Sequence, residues 1–244
     1  MQEMTWDEKA KEYGDSKIGA HSDETLVELE NEFITRQLER IRPEILLDIG
    51  CGNGQRTKLW SEHVKLLTLG IDSSEEMIKL AKTIESNKLA FDIEDITTLG
   101  TNAKFDVIVS ARCLINLKTE KEQLDAINKI YKLLSPGGYF ICVEGDDIAT
   151  DELNEMREFM GIEPLKRNEL NKDLTDEVKG GIIQKFDTID ETSLGTYYFI
   201  TRVLTQVTSM NLKEAASRLQ LEYGDQLGVC TLGRTWCYCG QKRN

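Results

Sequence analysis

The chain has 244 residues, with 43 acidic against 30 basic side chains and a formal net charge of −13. That length suits one domain with an elaborated edge, and the negative balance argues against a nucleic-acid partner, whose affinity rests on lysine and arginine neutralising phosphates. With no long apolar run resembling a membrane span and no basic, apolar leader at Met1, a soluble, unprocessed, cytoplasmic chain without a membrane partner is expected.

The first forty residues carry helical spacing at Leu26, Leu29, Phe33, Ile34 and Leu38, and residues 1–42 are expected to form a helical lid or flank. Leu46 to Ile49 reads as a buried strand that runs through Gly50, Gly52 and Gly54 into a helix. Such a turn lets backbone N–H groups approach a ligand closely. A nicotinamide or flavin fingerprint, G-x-G-x-x-G, is disfavoured because position 55 is Gln. A second strand, Leu66 to Ile71, ends at Asp72-Ser73-Ser74, where a carboxylate can meet ribose hydroxyls. Lys88 to Asp92 and Phe105 to Ser110 read as the third and fourth strands, with Asp95-Ile96 following the third.

Leu124, Ile127, Ile130, Tyr131 and Leu134 share one helical face, which returns the chain through Ser135-Pro136-Gly137-Gly138 to a strand from Tyr139 to Glu144. Gly145 to Gly180 then holds eleven acids and five bases and is expected to be a cap, with helix near Asp151 to Met160. A strand over Ile182 to Ile189, helices from Leu194 to Ser209 and Leu212 to Leu221, and a last strand from Cys230 to Cys239 complete the pattern. The six cysteines, at 51, 113, 142, 230, 237 and 239, form no C-x-x-C pair, so no metal site is expected. Cys237 and Cys239 fall on one strand face as core filler, and free thiols suit a reducing cytoplasm.

Five blocks, LLDIGCGNG, GIDSS, FDIEDI, KFDVIVSARCLINL and LLSPGGYFICVEG, stand in order between Pro43 and Glu144. They resemble the class I S-adenosylmethionine (SAM) dependent methyltransferases. The resemblance implies an α/β fold: a Rossmann-like, seven-stranded, mostly parallel sheet with helices on both faces and a helical cap. Residues 43–144 would be the SAM-binding core, 145–229 a helical cap around one core strand, and 230–244 a final antiparallel strand and tail. The same resemblance implies that Asp48, Gly50, Gly52 and Gly54 surround the methionine end of SAM and that Asp72 binds the ribose. Asp95 would accept from the adenine amino group beside the Ile96 N–H, and Cys51, Ser73 and Ala111 complete the cofactor set. The leader WDEKAKEYG is similar to the tyrosine-bearing leader of small-molecule methyltransferases, which assigns Tyr13 to the methionine end; a helix packing its aromatics on the core is the alternative.

The C-terminal half resembles bacterial methyltransferases of surface-polysaccharide and other small-molecule pathways through ARCLINL, Gln123, Glu144, Asn154-x-x-Arg157, Gly161, Tyr197-Tyr198-Phe199 and Arg202. Methyl transfer from SAM to an oxygen or nitrogen of a small polar metabolite is expected, a sugar or nucleotide-linked sugar being one such acceptor. A methyltransferase acting on protein or tRNA, and a non-catalytic SAM-binding protein, are the alternatives. A hydroxyl acceptor needs a base, for which Glu144 at the fifth strand tip is the first candidate and His21 the second; His63 reads as surface. Arg112, Asn116, Asn154, Arg157, Tyr197, Tyr198 and Arg202 are candidates for the acceptor pocket. If two of the three arginines converge, the acceptor carries phosphate or carboxylate. If they are paired internally, the acidic cap favours a cationic or amino acceptor.

Overall fold

Apolar runs along the strands are buried on both faces, the pattern of a parallel sheet covered on each side by helices. The computed structural model describes residues 5–14, 16, 23–168, 170–208 and 233–243. Its strands are β1 (Ile45–Ile49), β2 (Leu67–Asp72), β3 (Leu89–Ile93), β4 (Phe105–Ala111), β5 (Leu134–Gly145), β6 (Phe186–Ser193) and β7 (Thr235–Lys242). They form one seven-stranded sheet in the order β3-β2-β1-β4-β5-β7-β6. Strands β1 to β5 pair in parallel, and β7 inserts antiparallel between β5 and β6. This is the mostly parallel Rossmann-like sheet that the motif blocks imply.

Adjacent residues show the two faces. Leu46, Val109, Val143, Cys237 and Cys239 bury against Leu26, Leu29, Phe33, Ile34 and Leu38 of α2 (Glu24–Ile41), and against Trp60 of α3 (Gln55–Ser61). Burial of each large α2 side chain contributes about 1.5–3 kcal/mol. On the other face Leu47, Ile108, Phe140, Trp236 and Tyr238 pack with Ile127 and Ile130 of α5 (Glu120–Leu133) and with Val178 and Ile182 of α7 (Asp176–Lys185). A smaller cluster joins Ile78 and Ala81 of α4 (Glu75–Lys82) to Leu89 and Phe91 of β3. The cysteines at 51, 113, 142, 237 and 239 are free thiols, and Cys237 and Cys239 do fill the core. No helix among the described residues is long and apolar enough to cross a membrane.

Several expected boundaries differ. Among the described residues of the first 42, α1 (Trp6–Tyr13) has the position of a lid, while α2 is core, because its apolar stripe buries against the sheet. The strand expected over Ile182 to Ile189 starts at Phe186: Val178 and Ile182 lie four apart and bury together as one face of α7. Cap helix α6 spans Asp147–Phe159, starting earlier than expected because the Asp146 carboxylate accepts from the Ala149 N–H as an N-cap. The helix expected after Leu194 is α8 (Gly195–Phe199), which continues through one π turn at Ile200–Leu204 into α9 (Thr205–Thr208). The last strand begins at Thr235. Cys230 and the helix expected over Leu212 to Leu221 lie outside the described residues.

Candidate functional site

Because β1 to β4 run in parallel, their C-terminal tips share one edge of the sheet, where such folds bind ligands. A cavity of about 540 Å³ opens there. Of the expected cofactor residues, Gly50, Cys51, Gly52, Asp72, Ser73, Asp95, Ile96 and Ala111 line it.

The glycine turn is tied to β2 by the Gly50 and Cys51 N–H groups, which donate to the Ile71 carbonyl at 2.8 and 3.0 Å. Asp72 Oδ2 accepts from the Gly52 N–H and Oδ1 from the Ser74 N–H, both at 2.9 Å. Burial raises the Asp72 pKa above the usual carboxylate value, and these two N–H groups oppose the rise. Each oxygen keeps a further lone pair for a ligand. Gly52 has a φ of +54°, and a Cβ there would meet nothing within 4 Å. Gly54, with a φ of +77°, differs: its Cβ would strike the Phe91 ring at 2.6 Å, so it serves helix packing and faces away from the cavity. Asp95 Oδ1 accepts from the Thr97 N–H and hydroxyl, each at 2.7 Å, which leaves Oδ2 as an acceptor.

Asp48 does not line the cavity. It is 2% exposed beneath the turn, accepts from the Thr57 hydroxyl at 2.6 Å and has its pKa pushed by burial to about 7. The leader crosses the turn instead. Asn53 Nδ2 donates to the carbonyls of Gly14 at 3.1 Å and Ser16 at 2.9 Å, while the Ser74 hydroxyl donates to Asp7 of α1. Trp6 and Lys9 of α1 thereby join the cavity wall. Tyr13 closes α1, and His21 lies outside the described residues.

The acceptor set needs more correction. Glu144 is fully buried and is not at the cavity. Its Oε1 accepts from the Ser110 hydroxyl at 2.5 Å and from the Cys113 and Leu114 N–H groups at 3.0 Å; Oε2 accepts from the Ile115 N–H at 3.3 Å. The carboxylate thus closes the loop after β4, where the 3₁₀ turn Leu114–Asn116 begins. Its pKa is raised by burial against the pull of those donors.

Arg112 and Asn116 line the cavity. The Arg112 backbone is left-handed at φ +60°, its N–H donates to the Val143 carbonyl, and its guanidinium forks onto Glu30 of α2 at 2.5 and 2.9 Å. Arg56 stands 3.3 Å from the other Glu30 oxygen. Asn154, Arg157, Tyr197, Tyr198 and Arg202 do not line the cavity. Asn154 exchanges two hydrogen bonds with the Leu165 backbone, and Arg157 donates to the carbonyls of Glu163 and Arg202. The Tyr197 hydroxyl and Arg202 Nη2 both donate to Asp23, at 2.9 and 2.5 Å, and the Tyr198 hydroxyl meets Thr235 Oγ1 at 3.3 Å. Asn154 and Arg157 thus bond within the cap, while Tyr197, Tyr198 and Arg202 tie α8 and the turn after it to Asp23 and Thr235. All three arginines are paired internally.

The cavity is also lined by Lys166, Asn168, Asn171 and Arg234, none of which the sequence assigned to a site; Lys166-Arg167 stood out there only as a small basic pair and read as solvated charge. They lie in segments without periodicity and become neighbours only when the cap folds.

Comparison with known proteins bears on the fold and the family. Nodulation protein S of Azorhizobium caulinodans is 26% identical over 96 residues, covering 39% of this chain and 46% of that protein. The chain spans less than half the length of the curated relatives it matches. Among solved structures, the N-methyltransferase NodS from Bradyrhizobium japonicum WM9, in complex with S-adenosyl-L-homocysteine, is similar at a TM-score of 0.54 and 17% identity, over 91% of this chain and 100% of that one. A SAM-dependent methyltransferase from Clostridium acetobutylicum matches at a TM-score of 0.59 and 15% identity, over 96% and 98% of the two chains. At these identities the likeness is one of fold. The model of the family described as "Methyltransferase domain" matches residues 44–196, more than half of the sequence, so this chain belongs to the methyltransferase domain family and has the class I fold of SAM-dependent enzymes.

Proposed function

We propose that the chain transfers a methyl group from SAM to an oxygen or nitrogen of a small polar metabolite, with a sugar or nucleotide-linked sugar among the fitting acceptors. The observation that carries this reading is one cavity of about 540 Å³ with carboxylates at the β2 and β3 tips and amide and cationic groups under a roof. That volume falls within the range of small-molecule sites. A polymer meets two obstacles, the leader tied across the glycine turn and a net charge of −13.

When bound, SAM supplies a methyl group on a positive sulfur, open to displacement in one step. The residues at the strand tips fit that donor. Asp72 would accept from the ribose hydroxyls, Asp95 from the adenine amino group, and Gly52 leaves room for the methionine end. With Glu144 committed to the β4 loop, the protein acts by positioning and excluding water. An amine acceptor, partly neutral already, asks less of a base than a hydroxyl does.

Purified protein incubated with methyl-labelled SAM and fractionated cell extract should place label in the small-molecule pool. Label confined to protein or RNA would overturn the proposal.

A further inference from the structure

Internal pairing of the three arginines would favour a cationic acceptor only if acids of the cap reached the cavity, and among the described residues none lines it. Arg167 binds Asp147 and Asp151 and stands 3.6 Å from Asp173. Lys179 holds Asp146 at 2.8 Å and Asp176 at 3.0 Å. No acid of the described cap residues lines the cavity; Lys166, Asn168 and Asn171 do, joined by Arg234 from the start of β7.

We infer that the acceptor is held by an anionic group, phosphate or carboxylate, between Lys166 and Arg234 at the roof end of the cavity. This rests on the methyl-transfer reading above and narrows its substrate class. Arg234 and Arg167 stand 3.9 and 3.6 Å from the same Asp173 oxygen, so Lys166, next to Arg167, and Arg234 belong to one small roof. Neither cation is fully engaged. Lys166 is exposed and has no ion pair among the described residues. Among the described residues the only ion pair of Arg234 is the long contact to Asp173, and its buried Nε has no hydrogen-bond partner there. Its backbone is nevertheless fixed, since its carbonyl accepts from the Asp146 N–H at 2.7 Å beside the end of β5.

The position of this pair gives the cavity a direction. Arg234 at β7 and Asp72 at β2 are separated by four strand spacings in the order β2-β1-β4-β5-β7, roughly 19 Å. An anion is repelled by Asp72, Glu94 and Asp95 at the donor end and attracted at the roof, which orients a molecule of opposite ends before any close contact forms. The amides of Asn116, Asn168 and Asn171 suit the uncharged hydroxyls or amines between.

The test is calorimetric titration of protein saturated with S-adenosylhomocysteine, with inorganic phosphate in one arm and acetate in the other at constant ionic strength. One anion should bind saturably, and which one does so identifies the group. Lys166→Gln and Arg234→Gln should each weaken it about tenfold, the loss of one charge-assisted hydrogen bond, at unchanged S-adenosylhomocysteine affinity. Lys166 is exposed, so its variant does not depend on refolding the core. Absence of saturable binding in both arms, or wild-type anion affinity in the Lys166→Gln protein, would overturn the inference and leave the methyl-transfer reading standing. Failure to bind S-adenosylhomocysteine at all would remove that reading and the inference with it.

Discussion

At the donor end of the cavity each polar group stands at a strand tip or within three residues of one, and its backbone partners lie two residues on or in the turn after the neighbouring strand: Asp72 with Ser74 and, 20 residues back, Gly52, and Asp95 with Thr97. The arginines expected at the acceptor pocket instead engage distant segments, such as Arg112 with Glu30 across 82 residues and Arg202 with Asp23 across 179. The difference teaches where charge is spent. Donor-end carboxylates are positioned by backbone N–H groups and keep a lone pair free, whereas Arg112, Arg157 and Arg202 are consumed in bonds within the protein. Lys166 and Arg234 line the cavity with no ion pair shorter than 3.9 Å among the described residues.

Substitutions can break this contrast, the most damaging first. Glu30 is fully buried between Arg56 and Arg112, so Glu30→Gln leaves an uncompensated guanidinium charge and should cost about 3–5 kcal/mol of stability in chemical denaturation. A loss below 1 kcal/mol, roughly the value of an exposed pair, would show that the clamp is not structural. Glu144→Gln points an amide at the donors of the β4 loop and should lower stability by about 3 kcal/mol. If instead folding is unchanged and only turnover falls, Glu144 is the base after all.

Effects at the donor end should appear in affinity. Asp72→Ala removes a charged acceptor from the proposed ribose site and should weaken SAM binding by about 2–3 kcal/mol in calorimetry. Asp48, beneath the same turn, should act through pH. Its folded pKa of about 7 lies above the ordinary 3.8, so its contribution to stability is complete below the lower value and is lost as pH rises through the upper one. Between about pH 5 and pH 8 the wild type should therefore lose about 2 kcal/mol relative to Asp48→Asn, read from thermal unfolding across that range. Parallel curves for the two proteins would mean that Asp48 is already ionised at acidic pH.

Much of the donor end was legible because a strand, a glycine turn and an acid at the next tip are local patterns. Asp72, Asp95 and Gly52 occupy the cavity edge where spacing put them. The resemblance put Asp48 and Gly54 at the methionine end as well, but neither lines the cavity, since sequence spacing does not reveal which side of a turn faces the elements packed behind it. Glu144 shows the limit most clearly. Its place at the tip of β5 was readable, but the β4 loop folding back to present three N–H groups to it was not. Asn154, Arg157, Tyr197, Tyr198 and Arg202 form a plausible polar set in sequence, yet each finds a partner within the protein.

The amino-acid sequence by itself determined the strands, the helix that returns the chain to β5 and the acids at the strand tips, because hydrophobic period and turn chemistry are properties of neighbouring residues. Tertiary structure alone decided which charges face a ligand and which brace the scaffold. That choice depends on burial and on distances between segments more than a hundred residues apart, and Coulomb and desolvation energies respond to those distances and not to sequence spacing.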